Sequence, residues 1–160
     1  MTTACIALGA NLGDPQQQLR QALAALACTP GIVLRQTSRF YRSAALGPAG
    51  QPDYCNAVCV VDTSLSADAL LTRLQAIENA AGRIRSERWG PRVLDLDLLW
   101  MDGVASDTPR LQLPHPQAHL RAFVLVPLAD LLPNLEWPGH GRVAALAASI
   151  DRDGVVPLND

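Results

Sequence analysis

An α+β fold with a mostly antiparallel sheet flanked by helices is predicted from three features of this sequence. The chain has 160 residues, 49% of them apolar and 18% charged, which is the size and make-up of one globular domain. Its hydrophobic periodicity switches between two and 3.6 residues in the order β-α-β, β-α-β, followed by a smaller α/β tail. No internal repeat, low-complexity tract or long linker interrupts it, so residues 1–160 read as a single domain. Two such units in one sheet predict a ferredoxin-like βαββαβ core with a small C-terminal α/β extension.

Each element has a local cause. Ala4–Gly9 is a short apolar run and reads as a buried strand. Asp14-Pro15 supplies an N-cap and a proline at the first helical position. Leu19, Ala22, Leu23 and Leu26 then share one helical face until Thr29-Pro30-Gly31 ends the helix. Ile32–Tyr41 is β-rich, a Gly/Pro loop runs from Ala44 to Asp53, and Tyr54–Asp62 is the third strand. Ser66 caps a helix from Ala67 to Ala81, with Leu70, Leu71, Leu74 and Ile77 inward and Gly82 at its end. Val93–Met101 is a fourth strand, closed by the strong turn Asp102-Gly103. A proline-bracketed loop around His115, an apolar segment Phe123–Leu132 and a short helix near Val143–Ile150 complete the chain.

Composition narrows the function. A formal charge of −2 lacks the basic excess of a general nucleic-acid binder. The 4% aromatic content is also poor for a sheet that stacks bases. All thirteen basic residues are arginine, so a phosphate loop ending in Gly-Lys-Ser/Thr is impossible and any phosphate clamp must be built of guanidinium groups. Cys5, Cys28, Cys55 and Cys59 form no zinc spacing and read as free thiols. The N-terminus lacks a basic n-region, and no run approaches the ~20 apolar residues of a membrane span. A cytoplasmic protein is expected.

The chemistry concentrates between Arg83 and Leu99. In Val93-Leu-Asp-Leu-Asp-Leu-Leu99 the period of two puts Asp95 and Asp97 on one face and Leu94, Leu96 and Leu98 on the other. Their Cα atoms should lie roughly 6–7 Å apart, close enough to converge on one hard cation or on two. A solvated sheet face would also accommodate two aspartates. Just before them stand Arg83, Arg85, Arg88 and Arg92, four of the thirteen arginines, with Gly82 and Gly90-Pro91 allowing sharp turns. Carboxylates for a metal and arginines for phosphate oxygens are the two requirements of magnesium-nucleotide chemistry. Trp89 fits a lid over a flat substrate. From these residues alone, a different two-metal nucleotidyltransferase remains open.

Arg88-Trp-Gly-Pro-Arg-Val-Leu-Asp-Leu-Asp-Leu-Leu99 resembles the signature of the 6-hydroxymethyl-7,8-dihydropterin pyrophosphokinase family of folate biosynthesis. Gly9-Ala-Asn-Leu-Gly13, Phe40-Tyr-Arg-Ser43, Leu46-Gly-Pro48, Gln51-Pro-Asp-Tyr-Cys-Asn56, Leu113-Pro-His-Pro116 and Arg121-Ala-Phe123 resemble its other segments, and only the last ~30 residues match loosely. The resemblance implies transfer of an intact pyrophosphoryl group from ATP, as co-substrate, to the pterin hydroxymethyl oxygen, with AMP released. It implies that Asp95 and Asp97 hold two Mg2+ ions and that Arg83 and Arg92 close on the phosphates. Gln75, Glu78, Arg85, Trp89, His115 and Arg121 would border the nucleotide. Asn11, Ser43, Leu46, Tyr54, Asn56 and Phe123 would border the pterin, with Tyr54 and Phe123 sandwiching the ring and Asn56 reading its polar edge. Small-molecule substrates, no nucleic acid, no membrane and a monomer are the expected partners and state. Three departures stand out: Ser43-Ala44-Ala45 replaces a proline-richer stretch, Pro116 stands where relatives often place an aromatic, and Ile84-Arg-Ser-Glu87 makes the arginine loop slightly short against some relatives.

Overall fold

The computed structural model describes residues 1–44, 53–82, 94–152 and 154–158. In chain order the elements are β1 (Thr2–Ala10), α1 (Pro15–Ala27), β2 (Ile32–Thr37), β3 (Tyr41–Ser43), β4 (Tyr54–Thr63), α2 (Ala67–Ala80) and β5 (Asp95–Met101). Next come β6 (Ser106–Asp107), β7 (Gln112–Leu113), a 3-10 turn Ala118–Leu120, α3 (Ala122–Leu131), β8 (Glu136–Trp137), β9 (Gly141–Arg142), α4 (Val143–Ser149) and β10 (Val156–Pro157). The predicted caps form. The Asp14 side chain accepts from the Gln17 N–H at 3.2 Å and Ser66 Oγ from the Ala69 N–H at 3.2 Å, satisfying first-turn donors that would otherwise be orphaned.

The main sheet runs β10-β3-β4-β1-β5, with β2 also on β4, and every pair is antiparallel. The expected α+β arrangement of helices on an antiparallel sheet is thus present. The single β-rich run expected over Ile32–Tyr41 is instead two strands laid end to end along β4. β2 pairs with the Cys59–Thr63 half and β3 with the Tyr54–Asn56 half. Ser38 is the cause. Its N–H donates to the Val58 carbonyl, and its hydroxyl oxygen takes the Val58 N–H in place of a backbone carbonyl, both at 2.9 Å. The ladder is therefore satisfied while the chain jogs.

Strand alternation separates two faces. On one, Ile6, Leu8 and Ala10 of β1, Cys55, Ala57, Cys59 and Val61 of β4, and Leu94, Leu96 and Leu98 at β5 pack with Leu19 and Leu26 of α1 and Leu70 and Leu74 of α2. On the other, Cys5, Val58, Val60 and Leu99 pack with Val124 and Leu128 of α3, Trp137 and Val143. The Phe123–Leu132 segment is therefore a helix that covers the second face. Its run Val124–Leu128 is wholly buried, although Pro127 removes one helical donor. The Asp102-Gly103 turn closes as expected, with Gly103 at φ +70° and the Val104 N–H on the Met101 carbonyl at 3.0 Å. The tail holds α4 as expected, plus the β8–β9 hairpin and β10, none of which has a strong pattern.

Candidate active site

On the second sheet face the registers bring together residues from four strands. Tyr41 of β3 lies beside Asn56 of β4, Asn56 beside Gly9 of β1, and Gly9 beside Asp95 of β5. Asp97 follows in the next row, opposite Ala7. Asp95 and Asp97 do share a face, with Asp95 half-buried and Asp97 exposed, and Leu94, Leu96 and Leu98 are buried on the other. The pattern of period two therefore carries through from sequence to structure.

The amide end of the row is rigidly held. Asn56 is buried, and its Oδ1 accepts a short hydrogen bond from the buried Ser43 hydroxyl. Tyr54 pairs in register with Ser43 and is half-buried. Asn11 is buried immediately after β1. Tyr41, also buried, anchors β3 on the same face. Its hydroxyl donates to Asp130 Oδ2 at 2.6 Å and accepts from Arg39 Nη2 at 2.8 Å, tying the strand to the end of α3.

His115, Arg121 and Phe123 form the flank. The His115 N–H donates to the Leu99 carbonyl at 2.8 Å, which fixes its proline-bracketed loop on β5. Its Nδ1 accepts from the Gln117 N–H at 3.2 Å, so the neutral ring carries its proton on Nε2. Burial holds the imidazole below its ordinary value; the nearby Asp97 carboxylate pulls the other way, and the Arg121 charge adds a smaller lowering. Arg121 donates to Gln117 Oε1 at 2.6 Å and stands 5.7 Å from the Phe123 ring centroid.

Gln75 and Glu78 lie on α2, apart from this row. Gln75 is exposed on α2, but Glu78 points inward. Its Oε2 accepts the Leu96 N–H at 2.8 Å, because β5 ends the sheet and this edge donor needs an acceptor. Glu78 thus grips the backbone between the two aspartates rather than lining their face. Arg83, Arg85, Trp89, Arg92 and Leu46 lie outside the described residues. Among the described residues, no three His, Cys, Asp or Glu side chains are grouped to hold a metal by themselves, and no helix is long and apolar enough to cross a membrane.

A profile of the 7,8-dihydro-6-hydroxymethylpterin-pyrophosphokinase (HPPK) family matches residues 5–133. The chain belongs to this family. It is 45% identical over 153 residues to the 2-amino-4-hydroxy-6-hydroxymethyldihydropteridine pyrophosphokinase of Pseudomonas aeruginosa, covering 96% of this chain and 94% of the relative. Identity to the enzyme of that name from Haemophilus influenzae is 43% over 159 residues, covering 99% of each. To that of Synechocystis it is 44% over 156 residues, covering 97% and 80%. The fold resembles that of wild-type Plasmodium falciparum HPPK-DHPS crystallised with pteroate, with TM-score 0.73 over 92% of this chain at 12% identity. It also resembles an HPPK-DHPS in complex with substrates, with TM-score 0.70 at 12% identity. This HPPK chain spans 42% and 43% of those longer chains.

Sequence reasoning gave no role to Gly9 or Tyr41. The signal for Gly9 was a glycine closing an apolar strand, where one is unfavourable without a packing reason. Tyr41 stood only within the family-like segment Phe40–Ser43, and nothing pointed to its contact with Asp130, 89 residues away.

Proposed function

We propose that the sheet face bearing Asn56, Gly9, Asp95 and Asp97 is where this HPPK moves a pyrophosphoryl group from ATP to 6-hydroxymethyl-7,8-dihydropterin, the activity of its family in folate synthesis. The observation that carries the reading is the register Asn56–Gly9–Asp95. It sets an amide that donates and accepts two inter-strand spacings, about 10 Å, from a carboxylate pair. The pterin's polar edge meets Asn56, with Ser43 holding the amide, and Leu46 and Asn11 bordering the ring. Tyr54 and Phe123 offer aromatic faces to it. Its hydroxymethyl arm then points along the row to Asp95 and Asp97.

The hydroxymethyl oxygen attacks the β-phosphorus in line. A new oxygen–phosphorus bond forms, the bond from that phosphorus to the α,β-bridging oxygen breaks, AMP leaves, and the hydroxyl proton passes to solvent. Asp95 and Asp97 suit magnesium, which takes one or two carboxylates and completes its shell with substrate phosphates. Two such ions would orient the triphosphate and offset charge on the leaving AMP. His115, with Nε2–H as donor, and Arg121 face phosphate oxygens, while Arg83, Arg85 and Arg92 supply further guanidinium groups. Trp89 covers the flat substrates and Gln75 borders the nucleotide. Glu78 acts through Leu96, as a positioning residue.

The reading takes the chain as one domain over 1–160. Its strand order, with β5 and β4 flanking β1, supports the ferredoxin-like βαββαβ description with β6–β10, α3 and α4 as the extension. A cytoplasmic monomer that needs no nucleic acid or membrane completes it. Incubation with ATP, magnesium and the hydroxymethyl dihydropterin is expected to yield AMP and the pterin diphosphate. Formation of ADP, or activity indifferent to magnesium chelation, would refute the mechanism.

A further inference from the structure

Along the second face, β1 presents Cys5, then Ala7, then Gly9. Cys5 is fully buried in the α3-side core and Ala7 packs against it. Gly9 is reached last, between Asn56 and Asp95. A glycine inside a strand costs conformational entropy and gives up packing. Its usual excuse is a positive φ, which Gly13, Gly31 and Gly103 among others have and Gly9 does not. The missing side chain itself must therefore be what the position needs.

A Cβ built on Gly9 would stand 3.2 Å from Asn56 Nδ2 and 3.9 Å from Tyr54 Cδ1. The first is closer than ordinary carbon–nitrogen contact, and Asn56 has little room to yield because Ser43 holds its Oδ1. Without the Cβ, the amide nitrogen lies over bare β1 backbone, and the floor toward Asp95 stays flat.

We propose that Gly9 is a specificity-determining position, the bare backbone over which the acceptor's hydroxymethyl arm crosses from the Asn56 amide to the carboxylates of β5. This rests on the pterin placement given above. A side chain here closes the gap twice over, by pushing the Asn56 amide out of line and by filling the path of the arm.

The test is Gly9→Ala, with Gly9→Val as the larger step, in the full chain. Three quantities are read: pterin KM and kcat, affinity for a non-hydrolysable ATP analogue with magnesium, and Tm. In Gly9→Ala the pterin KM is expected to rise about tenfold or more, while nucleotide affinity changes less than about twofold. Tm should change little, because the entropy gained by replacing a strand glycine is set against the crowding of Asn56. Gly9→Val should enlarge the pterin defect. Unchanged pterin kinetics in Gly9→Ala overturns the proposal, and so does a fall in Tm with both substrates weakened in parallel, which would mark a merely structural role. Wild-type protein that makes no AMP from ATP and the pterin would instead strike down the underlying site reading, and is told apart by needing no variant.

Discussion

Removing the Glu78 carboxylate tests whether the strand that bears Asp95 and Asp97 is held from behind. Glu78 is 5% exposed, and its Oε2 takes the Leu96 N–H at 2.8 Å. In Glu78→Ala that donor is left buried without its acceptor, a loss of about 1–3 kcal/mol. For a domain of this length each kcal/mol moves Tm by about 2–4 °C, so a loss near ~2 kcal/mol predicts a fall of about 4–8 °C. Glu78→Gln keeps an oxygen at the same reach and should recover most of it. Leu96 sits between Asp95 and Asp97, so loosening it displaces both carboxylates, and a misplacement of about 1 Å in a catalytic group can cost about a hundredfold. The magnesium titration midpoint of Glu78→Ala should therefore move to higher concentration and kcat should fall, with Glu78→Gln near wild type. Urea unfolding, scanning calorimetry and AMP production measured across a magnesium series give the three readouts. Glu78→Ala with wild-type Tm would refute the anchoring bond; a lowered Tm with an unmoved magnesium profile would refute its link to the site.

Asp95→Asn and Asp97→Asn should each lower turnover by about a hundredfold or more, with the circular dichroism spectrum of the folded protein retained; activity retained in both would remove the metal reading. Tyr41→Phe deletes the hydroxyl between Arg39 and Asp130 and should cost about 1 kcal/mol in urea unfolding, mainly by freeing α3 from β3. Native protein treated with iodoacetamide near pH 8 should be labelled at exposed Cys28 alone, because burial pushes Cys5 and Cys59 to about 12 and Cys55 to about 11; mass mapping that finds Cys59 labelled before unfolding would contradict the packing. The same shifts make stability fall as pH rises above the ordinary thiol value of 9.0. There the unfolded chain gives up protons that the folded one keeps. Serine or alanine at Cys59 should flatten that alkaline slope.

Legibility followed the range of the interaction. Asp14, Ser66 and Gly103 act on neighbours within three residues, and the caps and turn they predict are present. Asp95 and Asp97 were readable because a strand's period of two needs no knowledge of the rest of the fold. Ser38 was not: its hydroxyl matters only because Val58, twenty residues on, offers its N–H at that place. Glu78 shows the same limit in another form. Its helical position was clear, yet helix spacing cannot say that an edge strand presents an open donor to it. Gly9 belongs here too, since its neighbours Asn56 and Asp95 come from two other strands.

The row that joins Tyr41, Asn56, Gly9 and Asp95 crosses the ladder instead of running along one strand. A ligand lying on it leans on β4, β1 and β5 together, the last two segments separated by more than eighty residues of chain. Peeling any one of these strands away dissolves the platform, so binding is tied to the cooperative opening of the whole sheet. Occupancy should therefore slow amide hydrogen exchange deep in β1 and β4, at positions such as Ile6 and Cys59 that face away from the ligand, and not merely at the residues it covers.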